Sequence, residues 1–387
     1  MTEQGCRVLY VNPAAERGGG EVILLNLLRY LPSTVQAEVV LLSQGSLAAE
    51  LRARGIRTYV LPAGRFRQPW RLLRTLWRLV RLMRKRDITL VDSAGAKGHL
   101  YGGLAALAAG IPAVWRLQDV PSPRDPWIRL AGLVPAAGIA ALSRASLDAY
   151  AHLQSLPAHT SVVYPGVEFS DGMISPPSTP GTSPSSTVHE QLAISAETAV
   201  VTMVGRLQHW KGQHVFLEAA AKVLEQRRDV HFLVVGGSLF GIEPEYARQL
   251  HDMVVRAGIV ANVTFMGQRD DVARIIAATD ILVHASITPE SFGQVIVEGM
   301  AQGKAVVASA AGGPLEIITD DVDGVLAPPG DATALAQAVA NLLDDPERRR
   351  RLGQAARLTV QKRFTVQEMA TGFARFYEAV LTGAARF

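Results

Sequence analysis

Short apolar runs alternate with stretches of helical periodicity along most of this 387-residue chain. In the first half the apolar runs are Val8–Val11, Glu38–Leu42, Ile88–Val91 and Ala113–Leu117. In the second half they are Val200–Val204, His231–Val235, Val263–Phe265, Ile281–Val283 and Ala305–Ala308. Strands that alternate with helices are typical of parallel sheets covered by helices on both faces. The pattern therefore predicts an α/β, doubly wound architecture with ligands at the carboxyl ends of the strands.

A Ser- and Pro-rich seam divides the chain into two comparable halves. From residue 170 to about residue 189 the sequence consists mainly of Ser, Thr, Pro and Gly. Such a segment buries too little apolar surface to offset the entropy lost on ordering. We therefore predict Rossmann-like domains over residues 1–169 and 197–364, joined by a flexible linker over 170–196. Residues 365–387 form a separate amphipathic stretch with Phe373, Phe376 and Tyr377.

Composition favours a cytoplasmic enzyme. Hydrophobic residues make up 48% of the chain and charged residues 19%, which suffices for two cores and is unlike a disordered or fibrous protein. The single cysteine, Cys6, excludes an internal disulfide and a thiolate metal site, so a reducing compartment is expected. The first residues do not resemble a signal peptide, and no run of apolar residues is long enough to span a bilayer.

Two carboxylates, Glu290 and Glu298, have seven residues between them, and a Ser-Phe-Gly turn directly follows the first. The apolar run before Glu290 predicts a strand, and helical spacing predicts a helix over 293–302 that contains Glu298. The amides of the first helical turn then face whatever Glu290 faces, and such amides bind anions. Carboxylates that hold sugar hydroxyls beside a phosphate site indicate a nucleotide-sugar pocket. Paired exposed Glu residues that only keep a helix soluble are the alternative.

This segment resembles the motif of the retaining family-4 glycosyltransferases, which have the GT-B fold of two Rossmann-like domains facing a central cleft. The resemblance implies that Glu290 contacts the donor sugar and Glu298 the nucleotide ribose. It implies that the amides of Ser291, Phe292 and Gly293 hold the diphosphate. It further implies that residues 1–169 bind the acceptor, that residues 197–364 bind the nucleotide sugar, and that residues 365–387 pack back on the N-terminal domain.

Gly205, Arg206 and Lys211 follow the first predicted strand of the second half. They resemble the family's loop whose Arg and Lys neutralise the diphosphate. A pyrophosphate leaving group requires fixed positive charge, and two cations beside helix amides supply it without a metal. We therefore expect no cofactor and no metal, only the nucleotide-diphosphate sugar as co-substrate. A pair of solvated surface cations is the alternative.

Three further loops resemble parts of the family's donor site. Gly236 ends a predicted strand, where glycine lets the backbone approach a ligand. Arg269 belongs to a loop that frames the nucleotide base in relatives. Gly312 and Gly313 match a turn near the donor, and tight packing explains these two glycines equally well.

The acceptor side departs from the family pattern. Gly19 and Gly20 belong to a glycine-rich loop that lines the cleft opposite the donor phosphates in relatives. Gln118 stands where a His is usual, and Gln cannot transfer a proton at neutral pH. Asp119 and His99 therefore become candidate acceptor-side groups, with Asp119 a candidate catalytic residue. A structural role for His99 is the alternative.

Basic residues recur at steps of four and three along a predicted helix. They form one narrow stripe: Arg67, Arg71, Arg74, Arg78, Arg81 and Lys85. Trp70 and Trp77 lie beside the stripe, as in a helix that binds an anionic bilayer surface. A solvated stripe on a helix packed against the sheet is the alternative. No motif for nucleic-acid binding accompanies it.

Together these features predict a retaining, metal-independent hexosyltransferase. It would transfer a sugar from a nucleotide-diphosphate sugar to a glycan or lipid-linked acceptor hydroxyl in cell-envelope polysaccharide, lipopolysaccharide or glycolipid synthesis. It would be cytoplasmic, with peripheral contact to the inner face of the membrane. A GT-B nucleotide-sugar epimerase and a non-catalytic nucleotide-sugar-binding subunit are the alternatives.

Overall fold

The computed structural model describes residues 6–16, 18–63, 69–121, 125–150, 157, 159–169, 188–237 and 244–384. Contacts divide the chain into two units, residues 1–166 with 365–387 and residues 167–364. Residues 170–187 of the predicted linker lie outside the described residues. Residues 188–196 of the predicted linker are described, and within them Val188–Leu192 forms a helix with Val188 buried beside Val200 and Leu233.

The described parts of the chain contain parallel strands and intervening helices. The strands are β1 (Cys6–Asn12), β2 (Val35–Leu41), β3 (Arg57–Val60), β4 (Leu90–Ala94), β5 (Ala113–Leu117), β6 (Gly138–Ala141), β7 (His159–Val162), β8 (Ala199–Val204), β9 (Val230–Val235), β10 (Val263–Gly267), β11 (Ile281–His284), β12 (Ala305–Ser309) and β13 (Val325–Ala327). The helices are α1 (Gly19–Tyr30), α2 (Leu47–Ala53), α3 (Pro69–Lys85), α4 (Gly95–Ala109), α5 (Pro126–Gly132), α6 (Arg144–Tyr150), α7 (Val188–Leu192), α8 (Gln213–Gln226), α9 (Pro244–Arg256), α10 (Val272–Ala277), α11 (Gln294–Ala301), α12 (Pro314–Ile317), α13 (Ala332–Asp344), α14 (Pro346–Arg363) and α15 (Val366–Ala384).

The first unit is a parallel sheet with helices on both faces. Its described strands run in the order β3-β2-β1-β4-β5-β6-β7. Successive residues of β1 point to opposite faces: Val8 and Tyr10 pack with α1, α2 and α15, whereas Leu9 and Val11 pack with α3 and α4. Burial on both faces requires the apolar runs seen in the sequence.

The second unit repeats this plan. Its described strands run in the order β10-β9-β8-β11-β12-β13. One face, which includes Val201 and Val283, packs against α8, α9 and α13. The strand order reverses between β8 and β11, and in such sheets ligands bind beside the carboxyl ends of the strands at that point. The predicted α/β class with two Rossmann-like domains is confirmed.

The nine predicted strands are present, and four strands were missed. The missed strands are β3, β6, β7 and β13, each with four residues or fewer. Gly138–Ala141 carries small side chains, and β7 exposes its polar side chains in part. All four lie at or next to a sheet edge, where burial does not demand a long apolar run.

Helix α15 belongs to the first unit although it follows the whole second unit in sequence. Phe373, Phe376 and Tyr377 are among its buried residues, and they pack on the β1 face that carries Val8 and Tyr10. Burial of three aromatic side chains stabilises this docking by several kcal/mol, at roughly 25 cal/mol per Å² of apolar surface. None of the helices in the described ranges is both long and apolar enough to cross a bilayer.

Candidate active site

The loops after β8 and β11 bring Lys211 and Glu290 together. These strands are neighbours in the sheet, so their carboxyl ends are adjacent. The backbone amide of Ile287, after β11, donates to the carbonyl of Trp210 at 2.9 Å. Gly212 has a left-handed backbone (φ +77°), and a Cβ there would lie 1.9 Å from the carbonyl oxygen of Ala285. Glycine at position 212 thus allows the two loops to touch.

Lys211 and Glu290 form a short ion pair at this edge. Lys211 Nζ donates to Glu290 Oε1 at 2.5 Å, and both side chains are mostly buried. The ammonium group also lies 4.3 Å from the centre of the Trp210 ring, which stabilises a cation over its face. An ammonium has three N–H donors, so Lys211 keeps donors for an anionic ligand. The two residues predicted to bind donor phosphate and donor sugar are in direct contact.

Two residues that the sequence analysis did not assign complete this network. His284 Nε2 lies 2.5 Å from Glu290 Oε2, and Ser286 Oγ donates to the same oxygen at 2.9 Å. His284 is the last residue of β11 and is buried, and its Nδ1 has no partner among the described residues. A polar residue that ends an otherwise apolar strand at the ligand edge is the sequence signal that could have identified it.

The network fixes the charge of Glu290. Burial alone raises the pKa of this carboxyl, but the charge of Lys211, the contact with His284 and their hydrogen bonds together outweigh it. The pKa therefore lies well below its ordinary value. Glu290 is a carboxylate at neutral pH, so it accepts hydrogen bonds and does not act as an acid.

Glycines behind Glu290 hold its backbone in place. Gly313 donates its amide to the Glu290 carbonyl at 2.8 Å, and Gly312 bridges to Glu290 as an isolated parallel pair. A Cβ on Gly312 would lie 2.4 Å from the Glu290 carbonyl oxygen, and one on Gly313 would lie 2.4 Å from the Phe292 backbone. Of the two explanations for these glycines, tight packing is the one that the contacts support.

Helix α11 begins directly after this loop. Gly293, with a left-handed backbone (φ +103°), precedes its first residue and contributes no side-chain cap. Phe292 is buried against Phe364 with ring centres 5.7 Å apart, so it anchors the turn, while Ser291 is only partly buried. Glu298 is the fifth residue of the helix and is partly buried. The predicted strand, turn and helix around the two carboxylates are all present.

Gln294, the first residue of α11, was also missed. Both polar atoms of its side chain are buried without a hydrogen-bond partner among the described residues. A buried amide without partners costs about 1–3 kcal/mol, which is tolerated where a ligand supplies the missing bonds. Gln294 is therefore a further candidate for ligand contact at the start of α11.

The loops after β9 and β10 stack beside the loop after β8, which carries Gly205 and Lys211. The Gly205 amide donates to Val235 at 2.9 Å, and the Gly236 amide donates to Gly267 at 2.8 Å. A Cβ on Gly236 would lie 2.0 Å from the carbonyl oxygen of Gly205. This contact leaves Gly236 a packing role at the edge of the predicted donor site.

The two predicted donor-side arginines have different surroundings. The Arg206 residue is exposed, and its carbonyl accepts a 2.8 Å hydrogen bond from the buried side chain of Gln213. The Arg269 guanidinium forms a two-bond pair with Asp271, at 2.8 and 2.7 Å. Arg206 is thus accessible to an anion, whereas the charge of Arg269 is already matched by a carboxylate.

In the first unit, two predicted acceptor-side groups meet. A Cβ on Gly20 would lie 3.1 Å from Nε2 of Gln118, so the Gln118 amide rests on the glycine-rich start of α1. Nothing lies within 4 Å of the equivalent position on Gly19. Asp119 is exposed after β5, and its carboxylate accepts a 2.7 Å hydrogen bond from the hydroxyl of Tyr150.

His99 was expected to be an acceptor-side group, but the structure shows that it is not accessible. Its side chain is fully buried in α4, with Nδ1 2.9 Å from Ser93 Oγ and Nε2 3.1 Å from the Val134 carbonyl. The ring stacks on Trp115 with centres 4.6 Å apart. Burial lowers the pKa of His99 to about 4, against the effect of the Val134 hydrogen bond. The alternative, a structural histidine, is the one observed.

Comparison with known proteins decides the family. The profile of the Glycosyl transferases group 1 matches residues 185–359, and that of Glycosyltransferase Family 4 matches residues 17–171. Together the two profiles span most of both units. The chain belongs to the family-4 glycosyltransferases.

This family-4 glycosyltransferase has curated relatives in several bacteria. It is 33% identical to the D-inositol 3-phosphate glycosyltransferase of Segniliparus rotundus, over 59% of this chain and 49% of the relative. It is 35% identical to the phosphatidyl-myo-inositol mannosyltransferase of Mycobacterium leprae, over 46% of this chain and 45% of the relative. The chain thus spans about half the length of these curated relatives.

A solved structure extends the likeness to nearly the full length. The crystal structure of HepE from Anabaena in complex with UDP-glucose is 28% identical, with a TM-score of 0.83. The match covers 96% of this glycosyltransferase and 99% of that chain. The likeness identifies the two Rossmann-like units as those of the GT-B fold.

Proposed function

We propose that this chain is a retaining glycosyltransferase that moves a hexosyl group from a nucleotide-diphosphate sugar to an acceptor hydroxyl. The observation that carries the proposal is the contact between Lys211 and Glu290 at the carboxyl ends of β8 and β11. The two side chains are joined by one hydrogen bond. The cation suits the diphosphate of a nucleotide sugar, and the fixed carboxylate suits the hydroxyls of the sugar attached to it. The accessible guanidinium of Arg206 adds a second positive charge on the same loop.

Lys211 and Arg206 stabilise the departing diphosphate. Negative charge grows on the bridging phosphate oxygen as the glycosidic bond breaks, and fixed cations favour that charge in the transition state. The amides at Ser291, Phe292 and Gly293 add donors and the positive end of the α11 dipole. These groups take the place that a divalent metal has in other transferases, which is the basis for the proposed metal independence.

Glu290 positions the sugar. As a carboxylate it accepts hydrogen bonds from sugar hydroxyls, and its bonds to Lys211, His284 and Ser286 hold it in one orientation. Lys211 directs one of its remaining N–H groups toward the phosphate when the nucleotide sugar binds. Glu298, farther along α11, binds the ribose hydroxyls of the nucleotide.

The transfer proceeds with retention at the anomeric carbon. The bond between that carbon and the diphosphate oxygen breaks while the acceptor oxygen bonds to the same face of the sugar. The acceptor proton passes to the departing phosphate oxygen, so the step needs no protein nucleophile. The products are the glycosylated acceptor and the nucleoside diphosphate.

Uridine diphosphate is the nucleotide to test first. HepE from Anabaena, at 28% identity, has been crystallised with UDP and with UDP-glucose. The acceptor belongs to cell-envelope glycan or glycolipid synthesis, which the name of the phosphatidyl-myo-inositol mannosyltransferase supports. We place the protein on the inner face of the membrane, held there peripherally by α3, which exposes Arg71, Arg74, Arg78, Arg81 and Lys85. Arg67 of the predicted stripe lies outside the described residues.

A thermal-shift screen with UDP-, GDP- and ADP-sugars tests the donor site. One nucleotide sugar should raise the melting temperature of the wild type, and Glu298→Gln and Lys211→Met should each weaken the response. Glu218→Gln, an exposed α8 carboxylate in the same unit, is the matched control and should respond as the wild type does. No response to any nucleotide sugar would overturn the proposed donor.

Product analysis tests the reaction itself. With donor and acceptor present, nuclear magnetic resonance should show a glycosidic bond of the donor's anomeric configuration, and EDTA should not slow its formation. An inverted product, or strict dependence on a divalent metal, would contradict the mechanism. Conversion of the donor sugar to its epimer without an acceptor would identify an epimerase instead.

A further inference from the structure

Helix α5 carries an exposed apolar ridge that its own packing does not require. Ile128 and Ala131 are the residues of α5 that enter the core beside β5 and β6. Trp127, Leu130 and Leu133, spaced three residues apart, point the other way and are exposed at 44%, 43% and 76%. Large apolar side chains that are exposed this close together form a patch of the kind found at interaction sites.

Helix α3 carries a second ridge of the same kind. Leu79 and Met83 fill the core under this helix. Trp70, Leu73 and Trp77 are nonetheless exposed at 66%, 66% and 60%. The solvated-stripe alternative accounts for the arginines of α3 but not for these three side chains, because a helix whose apolar face is already packed gains nothing from two further exposed tryptophans.

Both ridges lie in one helical layer of the first unit. Leu79 and Met83 of α3 pack with Tyr101 and Ala105 of α4 on one face of the sheet. Leu100 of α4 packs with Ile128 and Ala131 of α5 beside Trp115 and Leu117 of β5. Ala113 of β5 packs with α3 and α4, whereas Trp115 and Leu117 of the same strand pack with α4 and α5. Alternate residues of a strand point to the same side, so α3, α4 and α5 cover one face of the sheet. Helix α4 therefore lies between the two ridges.

Each ridge also begins at the same end of the layer. Helix α3 starts with Pro69-Trp70, and α5 starts with Pro126-Trp127. Each helix follows a strand of a parallel sheet, so its first turn lies at the carboxyl edge. That is the edge where the glycine-rich loop meets Gln118. The two tryptophans thus stand at the edge of the layer where the acceptor side of the unit lies.

The charge of this layer indicates which partner covers it. Helix α3 contains no acidic residue, and its exposed side bears Arg71, Arg74, Arg78, Arg81, Arg84 and Lys85. Arg81 lies 5.4 Å from the centre of the Trp77 ring, so a cation and an aromatic ring share one site. On α5, Arg129 is exposed between Trp127 and Leu130. Tryptophan and leucine among cations favour the interface of an anionic bilayer, where rings insert and guanidinium groups reach phosphates.

We propose that the ridges of α3 and α5 form a two-point docking surface for an anionic bilayer. The surface consists of Trp70, Leu73 and Trp77 on α3, of Trp127 and Leu130 on α5, and of Leu133 directly after α5. One helix would leave the unit free to rotate about the helix axis, whereas two ridges on either side of α4 fix its orientation. The two tryptophans bring the carboxyl edge of the sheet close to the headgroups, so the acceptor is a membrane lipid. The identity of the acceptor, but not the docking, rests on the proposed transferase function.

Vesicle sedimentation tests the docking surface. The wild type should sediment with phosphatidylcholine vesicles that contain phosphatidylglycerol, and high salt should weaken this binding. Leu130→Ser/Leu133→Ser should bind about tenfold more weakly, because two leucine side chains no longer insert. Val255→Ser/Leu358→Ser removes two comparably exposed apolar side chains from the second unit and should bind as the wild type does. Equal binding by wild type and the α5 double variant would overturn the two-point surface.

Insertion of α5 is measured separately with brominated lipids. Quenching of tryptophan fluorescence should be smaller in Trp127→Phe than in the wild type, with both proteins measured below their melting temperatures. Equal quenching would show that α5 does not enter the bilayer. Self-association that Leu130→Ser/Leu133→Ser abolishes, without vesicle binding, would make this face an interface between copies and reject the proposal. A wild type that binds vesicles but no nucleotide sugar would leave the docking intact and reject only the transferase.

Discussion

The hydroxyl of Tyr377 donates a 2.7 Å hydrogen bond to Oδ2 of Asp92, across 285 residues of sequence. Asp92 lies in β4 of the first sheet, and Tyr377 lies in α15, which the chain reaches only after completing the second unit. The other oxygen of Asp92 accepts a 3.0 Å bond from Nε of Arg116 in β5, and all three residues are fully buried. A buried polar network of this kind ties α15 to one place on the sheet.

Removal of the Tyr377 hydroxyl should weaken that attachment. Tyr377→Phe keeps the ring but leaves the buried Asp92 carboxylate short of one donor, and hydrogen bonds to charged groups contribute about 1.5–3 kcal/mol. We expect the free energy of unfolding to fall by about 2 kcal/mol, measured by urea denaturation. Tyr59→Phe is the control, since Tyr59 donates to Glu38 at a site that is only partly buried, and should cost less. Equal losses would mean that burial does not strengthen the Tyr377 bond.

Arg116 and Asp92 should be strongly coupled. Arg116→Met leaves a buried carboxylate without its counter-ion, which costs about 3–5 kcal/mol. In Asp92→Asn/Arg116→Met the buried charge is absent as well, so the double variant should be more stable than Arg116→Met alone. Denaturation of both variants beside Asp92→Asn closes the cycle. Additive losses would show that the 3.0 Å pair contributes no interaction energy of its own.

In the second unit, Glu290→Gln should abolish most turnover without unfolding the protein. Gln keeps the shape but lacks the charge that pairs with Lys211 at 2.5 Å and orients His284. We expect the rate of sugar transfer to fall by about 100-fold or more, as for loss of a preorganised electrostatic group. His284→Asn, which removes only the support, should lower the rate less. Glu218→Gln should be unchanged, and unaltered turnover in Glu290→Gln would remove the assigned site.

Features set by local pattern were predictable from the sequence. Buried parallel strands require uninterrupted apolar runs, so the central strands were identified with nearly their observed bounds. Lys211 and Glu290 follow strands that such a fold places side by side, so their proximity could be expected. The short strands β3, β6, β7 and β13 could not be identified, because three or four residues carry too little periodicity.

Contacts set by tertiary packing were not predictable. Nothing near Asp92 in the sequence indicates Arg116 or Tyr377 as its partners, because each lies on a separate element. His99 was misjudged because its position after a strand suggests function, whereas the fold turns its ring onto Trp115. The position of His284 at the end of an apolar strand could have marked it as a site residue, but only the folded loop shows that Glu290 lies 2.5 Å from its ring.

His99 should make stability depend on pH in mild acid. Burial lowers its pKa to about 4 in the folded protein, from 6.5 in the unfolded chain. Between these values the unfolded state binds a proton that the folded state does not, so stability falls as pH falls through this window. The loss should reach about 3 kcal/mol at 1.36 kcal/mol per pKa unit. His99→Phe can stack on Trp115 but cannot titrate, so its free energy of unfolding should depend less on pH; parallel curves would contradict this assignment.

Gly212 should be the glycine of the site that tolerates a side chain least. Gly212→Ala places a Cβ 1.9 Å from the Ala285 carbonyl oxygen and also strains a left-handed backbone, so the loop that carries Lys211 must move away from β11. Gly258→Ala in the same unit is a close control, because its φ of +66° is similar but nothing lies within 4 Å of the new Cβ. The control should lose about 1 kcal/mol of stability and keep its donor-induced thermal shift. Gly212→Ala should lose that shift, since Lys211 no longer reaches Glu290, and an unchanged response would show that the contact between the two loops does not position the donor.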